Sequence, residues 1–296
     1  MKRRNWLKKI LLGSGAMYTG VPITRPFRSR KKGIRVAHIT DVHIRPENNI
    51  PERARQTMKD VLAHGVDFFL NGGDSIHDAS YDDVTRERVL EQWEEWDRFV
   101  ELAQDYEMFS CLGNHDMWWK APSKDHDMYG KPYAVKRLGM PARYFSVSRG
   151  GWHIIILDSN QSGVRLDENQ FQWLEEELEK LPENKPVLLM SHYPILGVTD
   201  HFVGGQHSDF EELKTLFYKH RDKVKLCLSG HQHMVDRAWY NGVEYLCNGS
   251  MSGYWWGEGD EHSAGKGYYL ESPPGYAILD LFPDGTFHHT YYPHSY

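Results

Sequence analysis

Gly113-Asn114-His115-Asp116 follows directly on the run Met108-Phe109-Ser110-Cys111-Leu112. A short apolar run closed by glycine reads as a buried strand ending in a polar turn. The same arrangement recurs along the chain. Ile34-Arg35-Val36-Ala37-His38-Ile39 leads to Asp41-Val42-His43, and Val66-Asp67-Phe68-Phe69-Leu70 leads to Gly73-Asp74. Pro186-Val187-Leu188-Leu189-Met190 leads to His192, and Val224-Lys225-Leu226-Cys227-Leu228 to Gly230-His231-Gln232-His233. A lone D-x-H or H-x-H is commonplace, and most single histidines are solvated or quietly hydrogen-bonded. Strand ends in an open α/β sheet, however, are where sites assemble. Aspartate, asparagine and histidine delivered repeatedly to one sheet edge point to a metal site rather than to core filling.

The ordered set D-x-H, G-D, G-N-H-D, a lone H and G-H-x-H resembles the calcineurin-like metallophosphoesterase superfamily, whose motifs span most of this chain. The resemblance implies an α/β fold, a four-layer αββα sandwich of two mixed β-sheets flanked by helices, holding two divalent metal ions. It further implies that Asp41, His43 and His233 hold one ion and that Asn114, His192 and His231 hold the other. Asp74 would bridge them, and His115 would stay unligated as the general acid. Asp116 or Asp78 would orient His115, and sequence leaves that choice open; Asp116 is taken here with His115 as the catalytic pair.

The chemistry of phosphate-ester hydrolysis asks for this mixture. Two cations about 3.5–4 Å apart clamp the attacking and leaving oxygens of an in-line displacement, and the attacking group expected here is a metal-bound hydroxide. A carboxylate bridges two ions because it has two oxygens. Neutral imidazoles and a carboxamide keep the centre net positive toward an anionic substrate. A histidine titrating near physiological pH is suited to protonating the departing alkoxide. Nitrogen and oxygen ligands without thiolate suit Mn, Fe or Zn and argue against a structural zinc site.

Residues 1–32 have a different character. They contain ten cations and no acidic residue. Arg3-Arg4-Asn5-Trp6-Leu7-Lys8 precedes a weakly apolar stretch, Ile10 to Ile23, interrupted by Gly13, Gly15, Gly20 and Pro22. The pattern resembles a twin-arginine export signal, and the stretch is short for a membrane span. The expectation is a leader over 1–32, a catalytic domain over 33–296, and a periplasmic or otherwise exported enzyme. Its partners would be the twin-arginine export machinery and, only if the leader is uncleaved, the membrane. The plain alternative is a basic arm.

Without the leader, the 35 basic residues of the chain fall to 25 against 41 acidic ones, a difference of −16. That charge excludes a nucleic-acid polymer as partner, while a small anion drawn by local metal charge is compatible with it. The remaining 264 residues suffice for one large core. Cys111, Cys227 and Cys247 fall in strands and read as small core hydrophobes.

Elsewhere the pattern predicts helices over Pro51 to His64, Tyr81 to Tyr106 and around Gln170 to Leu174, with a shorter one around Tyr133 to Leu138. Strands are expected over Arg143 to Ser148, Trp152 to Leu157, Met234 to Tyr240 and Val243 to Cys247. A late hairpin, Tyr276 to Phe282 and Phe287 to Tyr292, turns at Pro283-Asp284-Gly285-Thr286. In Gly249-Ser250-Met251-Ser252-Gly253-Tyr254-Trp255-Trp256, one tryptophan is expected to pack in the core and the other to line a substrate pocket. Where purple acid phosphatases carry a tyrosine, three residues after the bridging aspartate, this chain has His77, with substrate contact or a surface position open to it. Asp200, His201 and His207 are expected beside the pocket but not as ligands. The resulting reading is a phosphoesterase acting on a small phosphomonoester or phosphodiester. The alternatives are a cyclic-nucleotide phosphodiesterase and a non-catalytic scaffold of the same fold.

Overall fold

The computed structural model describes residues 32–257 and 272–295. Apart from Lys32, the expected leader lies outside the described residues. In chain order the elements are β1 (Ile34–Ile39), α1 (Ile50–Ala63), β2 (Phe68–Asn71), α2 (Arg86–Val100), β3 (Met108–Ser110) and α3 (Gly130–Arg137). Then come β4 (Phe145–Arg149), β5 (Trp152–Ile156), α4 (Glu168–Lys180), β6 (Val187–Met190), α5 (Asp200–Val203) and α6 (Phe210–Lys219). The last strands are β7 (Val224–Ser229), β8 (Val235–Tyr240), β9 (Val243–Asn248), β10 (Gly275–Leu281) and β11 (Phe287–Pro293).

They form two mixed sheets, β11-β10-β1-β2-β3 and β4-β5-β6-β7-β9-β8. The centre of each is parallel, with β1, β2 and β3 in one and β5, β6, β7 and β9 in the other. Antiparallel strands close three of the four edges, and β3, parallel to β2, is the fourth.

The apolar runs are continuous because both faces of each sheet are covered. Successive side chains point to opposite faces. Val36, Phe68, Leu70, Ile154, Ile156, Leu188, Met190, Leu226 and Leu228 meet in one core between the sheets. Their neighbours Ala37, Ile39 and Phe69 join the residues of α1 and α2. Ile155, Val187, Leu189 and Cys227 join those of α4 and α6. Helix, sheet, sheet, helix is the order of layers, as the resemblance implies.

The helices follow from local chemistry. Pro51 opens α1, whose buried Ile50, Ala54, Met58 and Val61 form one stripe. Thr85 caps α2 by accepting from the Arg88 N–H, and Asp167 caps α4 by accepting from that of Gln170. The helix expected from Tyr81 starts only at Arg86, because Asp78 takes the backbone N–H groups of Ser80 and Tyr81 into a turn. Asp200 and His201 lie in the short helix α5, and α6 follows His207. No helix among the described residues is long and apolar enough to cross a membrane.

Candidate metal centre

Parallel pairing brings the carboxyl ends of β1, β2, β3, β6 and β7 to one edge, and all seven expected ligands converge there. Asp41, His43 and His233 form one group and Asp74, His192 and His231 another, each with ligand atoms within 4.8 Å of one another. In the first, His233 Nε2 lies 3.3 Å from Asp41 Oδ1 and 3.1 Å from His43 Nε2. In the second, Asn114 Oδ1 lies 3.0 Å from His192 Nε2 and 3.1 Å from His231 Nδ1. Asp74 Oδ2 sits between the groups, 3.1 Å from His192 Nε2 and 3.7 Å from His43 Nε2.

The outer nitrogens show that the donor set fits cations. His43 Nδ1 donates to the His77 carbonyl at 3.2 Å. His192 Nδ1 donates to Gly72 and His233 Nδ1 to Gly253, each at 2.8 Å. A proton held outward on Nδ1 turns Nε2 inward, the arrangement that orients metal-ligating histidines. Two bare nitrogens 3.1 Å apart, as in His43 and His233, repel unless a cation lies between them. Burial holds His43 well below its ordinary range and His231 down to about 3, so both rings are neutral.

Backbone strain is concentrated here. Asp41, His43, Asp74, His231 and His233 all have positive φ, between 46° and 67°. Non-glycine residues seldom adopt that region, and when they do the surroundings impose it. Two glycines allow the close packing. A Cβ on Gly113 would lie 2.0 Å from the Asp74 backbone nitrogen, and one on Gly230 would lie 2.0 Å from Thr40 Oγ1 and 2.2 Å from Asp41 Oδ2.

His115 belongs to neither ligand group. Its Nδ1 is 2.7 Å from Asp78 Oδ2 and its Nε2 is 4.0 Å from Asp74 Oδ2. The aspartate that reaches His115 is therefore Asp78, which answers the choice that sequence leaves open. Asp116, taken with His115 as catalytic, instead turns its carboxylate back onto the backbone. It accepts from the N–H groups of Asp74, Ser75, Ile76 and Gly113. That geometry gives Asp116 a positioning task in place of a direct catalytic one. Burial and the charge of Asp74 push its pKa up to about 7, against the pull of those N–H groups.

Other expected neighbours divide in the same way. His207 is buried, linking Ser191 to Asp209 at 3.0 Å on each side. Asp200 accepts from Gln232 at 3.1 Å. Neither residue joins a ligand group. His77 meets Arg45 Nη1 through its ring, at 3.0 Å. Trp256 is the packed tryptophan, 4% exposed, with its indole N–H donating to the Val42 carbonyl at 2.7 Å. Trp255 lies 3.8 Å from the His43 ring, centre to centre. It arrives on the loop after β9, which runs parallel to β7 and so ends at the same edge. The carbonyl acceptors of His77, Gly72 and Gly253 have no side-chain signature, so no residue pattern could have revealed them.

A sequence model of the calcineurin-like phosphoesterase family matches residues 34–235. That span contains every expected ligand. The chain is similar to a 3',5'-cyclic-nucleotide phosphodiesterase of Nostoc, with 27% identity over 87% of this chain and 91% of that protein. It is also similar to tartrate-resistant acid phosphatase type 5 of Homo sapiens, with 26% identity over 67% and 65%. Among solved structures, a dimetal phosphatase from Danio rerio superposes with a TM-score of 0.63 over 88% of this chain and 100% of that one. Its identity is 14%, a likeness of fold alone.

Proposed function

The chain belongs to the calcineurin-like phosphoesterase family and is a metal-dependent phosphoric ester hydrolase, and we propose that it cleaves a small phosphomonoester or phosphodiester at a two-ion centre with His115 as proton donor. The observation that carries this reading is Asp74 Oδ2 placed between two histidine groups, with His115 close by and unligated. When bound, the ions neutralise phosphoryl charge and supply a nucleophile from water at neutral pH. Asp41, His43 and His233 would hold one, Asn114, His192 and His231 the other, with Asp74 shared. Mn or Fe is the favoured occupant and Zn the alternative.

The protein's own groups do the rest. The His115 N–H fixes Asp74 by donating to Oδ1 at 2.8 Å. The His231 N–H does the same for Asp41, at 3.0 and 3.1 Å. Asp78 keeps the His115 proton on Nδ1 and turns Nε2 toward the reacting phosphate. Cyclic-nucleotide hydrolysis is the narrower reading that the name of the Nostoc relative supports.

Purified protein should turn over bis-p-nitrophenyl phosphate, lose that activity to a chelator and regain it with added Mn. Full activity after complete removal of metal would overturn the reading.

The basic leader is proposed to direct export through the twin-arginine route, supported by Arg3-Arg4 ahead of Ile10 to Ile23. Replacing both arginines with lysine should strand the precursor in the cytoplasm, as fractionation would show. Undiminished export of that variant would remove the basis of the assignment.

A further inference from the structure

The side of the centre that carries the acid is aromatic. The His115 ring has Trp255 4.9 Å away and Tyr81 6.2 Å away, centre to centre, at 79° and 89° to its plane. Trp255 also lies 5.7 Å from the His233 ring and 5.0 Å from that of His77. Neither ring is core material, since Tyr81 is 54% exposed and Trp255 is half-buried.

The loop is built to place one indole there. Trp255 and Trp256 take φ values of 53° and 67°, a region that bulky residues enter only under constraint. Trp256 is anchored under the loop through Val42, and Trp255 is thereby turned over the centre. A core role would not require two consecutive strained tryptophans.

A departing alcohol must lie within reach of the nitrogen that protonates it. The non-phosphoryl part of the ester therefore rests against whatever borders His115. We propose that Trp255 and Tyr81 form a leaving-group subsite for a planar aromatic group, which makes nucleoside and aryl phosphate esters the preferred substrates. The proposal rests on the phosphoesterase reading and on His115 as its acid.

Aromatic rings also hold quaternary ammonium groups. Here the Arg45 guanidinium, 3.0 Å from His77, sits on the same rim, so a choline head group would meet like charge. Glycerol-type alcohols have no face to offer the rings. A base stacked on an aromatic side chain gains roughly tenfold to hundredfold in affinity.

The test uses the full, metal-loaded protein with two pairs of substrates. Adenosine 5'-monophosphate is set against glycerol 3-phosphate, and 3',5'-cyclic adenosine monophosphate against glycerophosphocholine. Trp255→Ala should lower the adenosyl-to-glyceryl ratio of kcat/KM by roughly tenfold or more. The change should lie in KM, and Trp255→Phe should restore most of it. Tyr81→Ala should move the ratio in the same direction. Calorimetry should show adenosine binding to the parent and binding more weakly to Trp255→Ala. An unchanged ratio, a parent that prefers the glyceryl esters, or no adenosine binding would overturn the subsite. A parent that turns over bis-p-nitrophenyl phosphate but neither adenosine ester would overturn the nucleoside preference and leave the phosphoesterase reading standing. One that hydrolyses no ester at all would remove the reading on which the subsite rests.

Discussion

Asp74→Asn loses at least one metal ion and most of the activity. Asp74 Oδ2 is 3.1 Å from His192 and 3.7 Å from His43, while Oδ1 is already committed to the His115 N–H at 2.8 Å. An amide in its place keeps one oxygen, turns an NH2 toward the cations and removes a negative charge. Loss of a partner that only supports a ligand typically lowers metal affinity or activity 10–100-fold, on the order of the lower bound expected here. A stability measurement separates this loss from misfolding. With ions present the parent should melt well above the variant, because binding to the native state alone stabilises it. In chelator the gap should narrow, since the ions no longer stabilise the native state of the parent selectively. Elemental analysis that finds two tightly held ions, with a near-normal rate, would rule out the bridging role.

The layered fold and its ligand edge were legible because both depend on side-chain type. Parallel strands covered on both faces must be apolar throughout, and the polar residues that end each run stand out against them. Other features depend on backbone and direction, which the sequence does not display. Five of the seven expected ligands sit in left-handed backbone, yet none is glycine, the residue that advertises such a conformation most clearly. Asp116 and His115 are adjacent in sequence but point apart, so proximity along the chain could not decide between Asp116 and Asp78. Asp78 comes from a different loop and is the one that reaches. The tryptophan pair was readable as one buried and one at the pocket, but which was which depended on the hydrogen bond from Trp256 to Val42. Helix α6 carries buried Leu213, Leu216 and Phe217 at helical spacing, a three-residue stripe too short to stand out.

His115→Asn should keep both ions, bind substrate at similar strength and lower kcat by roughly 10²–10⁴-fold, the usual worth of a positioned acid. The ring supplies no atom to either ligand group, so its removal leaves the expected cation ligands in place. The loss should be smallest for p-nitrophenyl esters, whose leaving group departs without a proton, and largest for alkyl phosphates. Asp78→Asn provides the companion result. Burial pushes His115 toward its neutral form, but the charge of Asp74 and the hydrogen bond that His115 donates to Asp78 outweigh it, so its pKa lies above the ordinary value. A general acid acts while protonated, so kcat for an alkyl ester falls as pH rises through that pKa. Removing the Asp78 charge lowers the pKa and moves this alkaline limb to lower pH. In His115→Asn the limb should vanish. A loss equal across leaving groups, accompanied by metal depletion, would mean that His115 holds the centre together and that the proton comes from elsewhere.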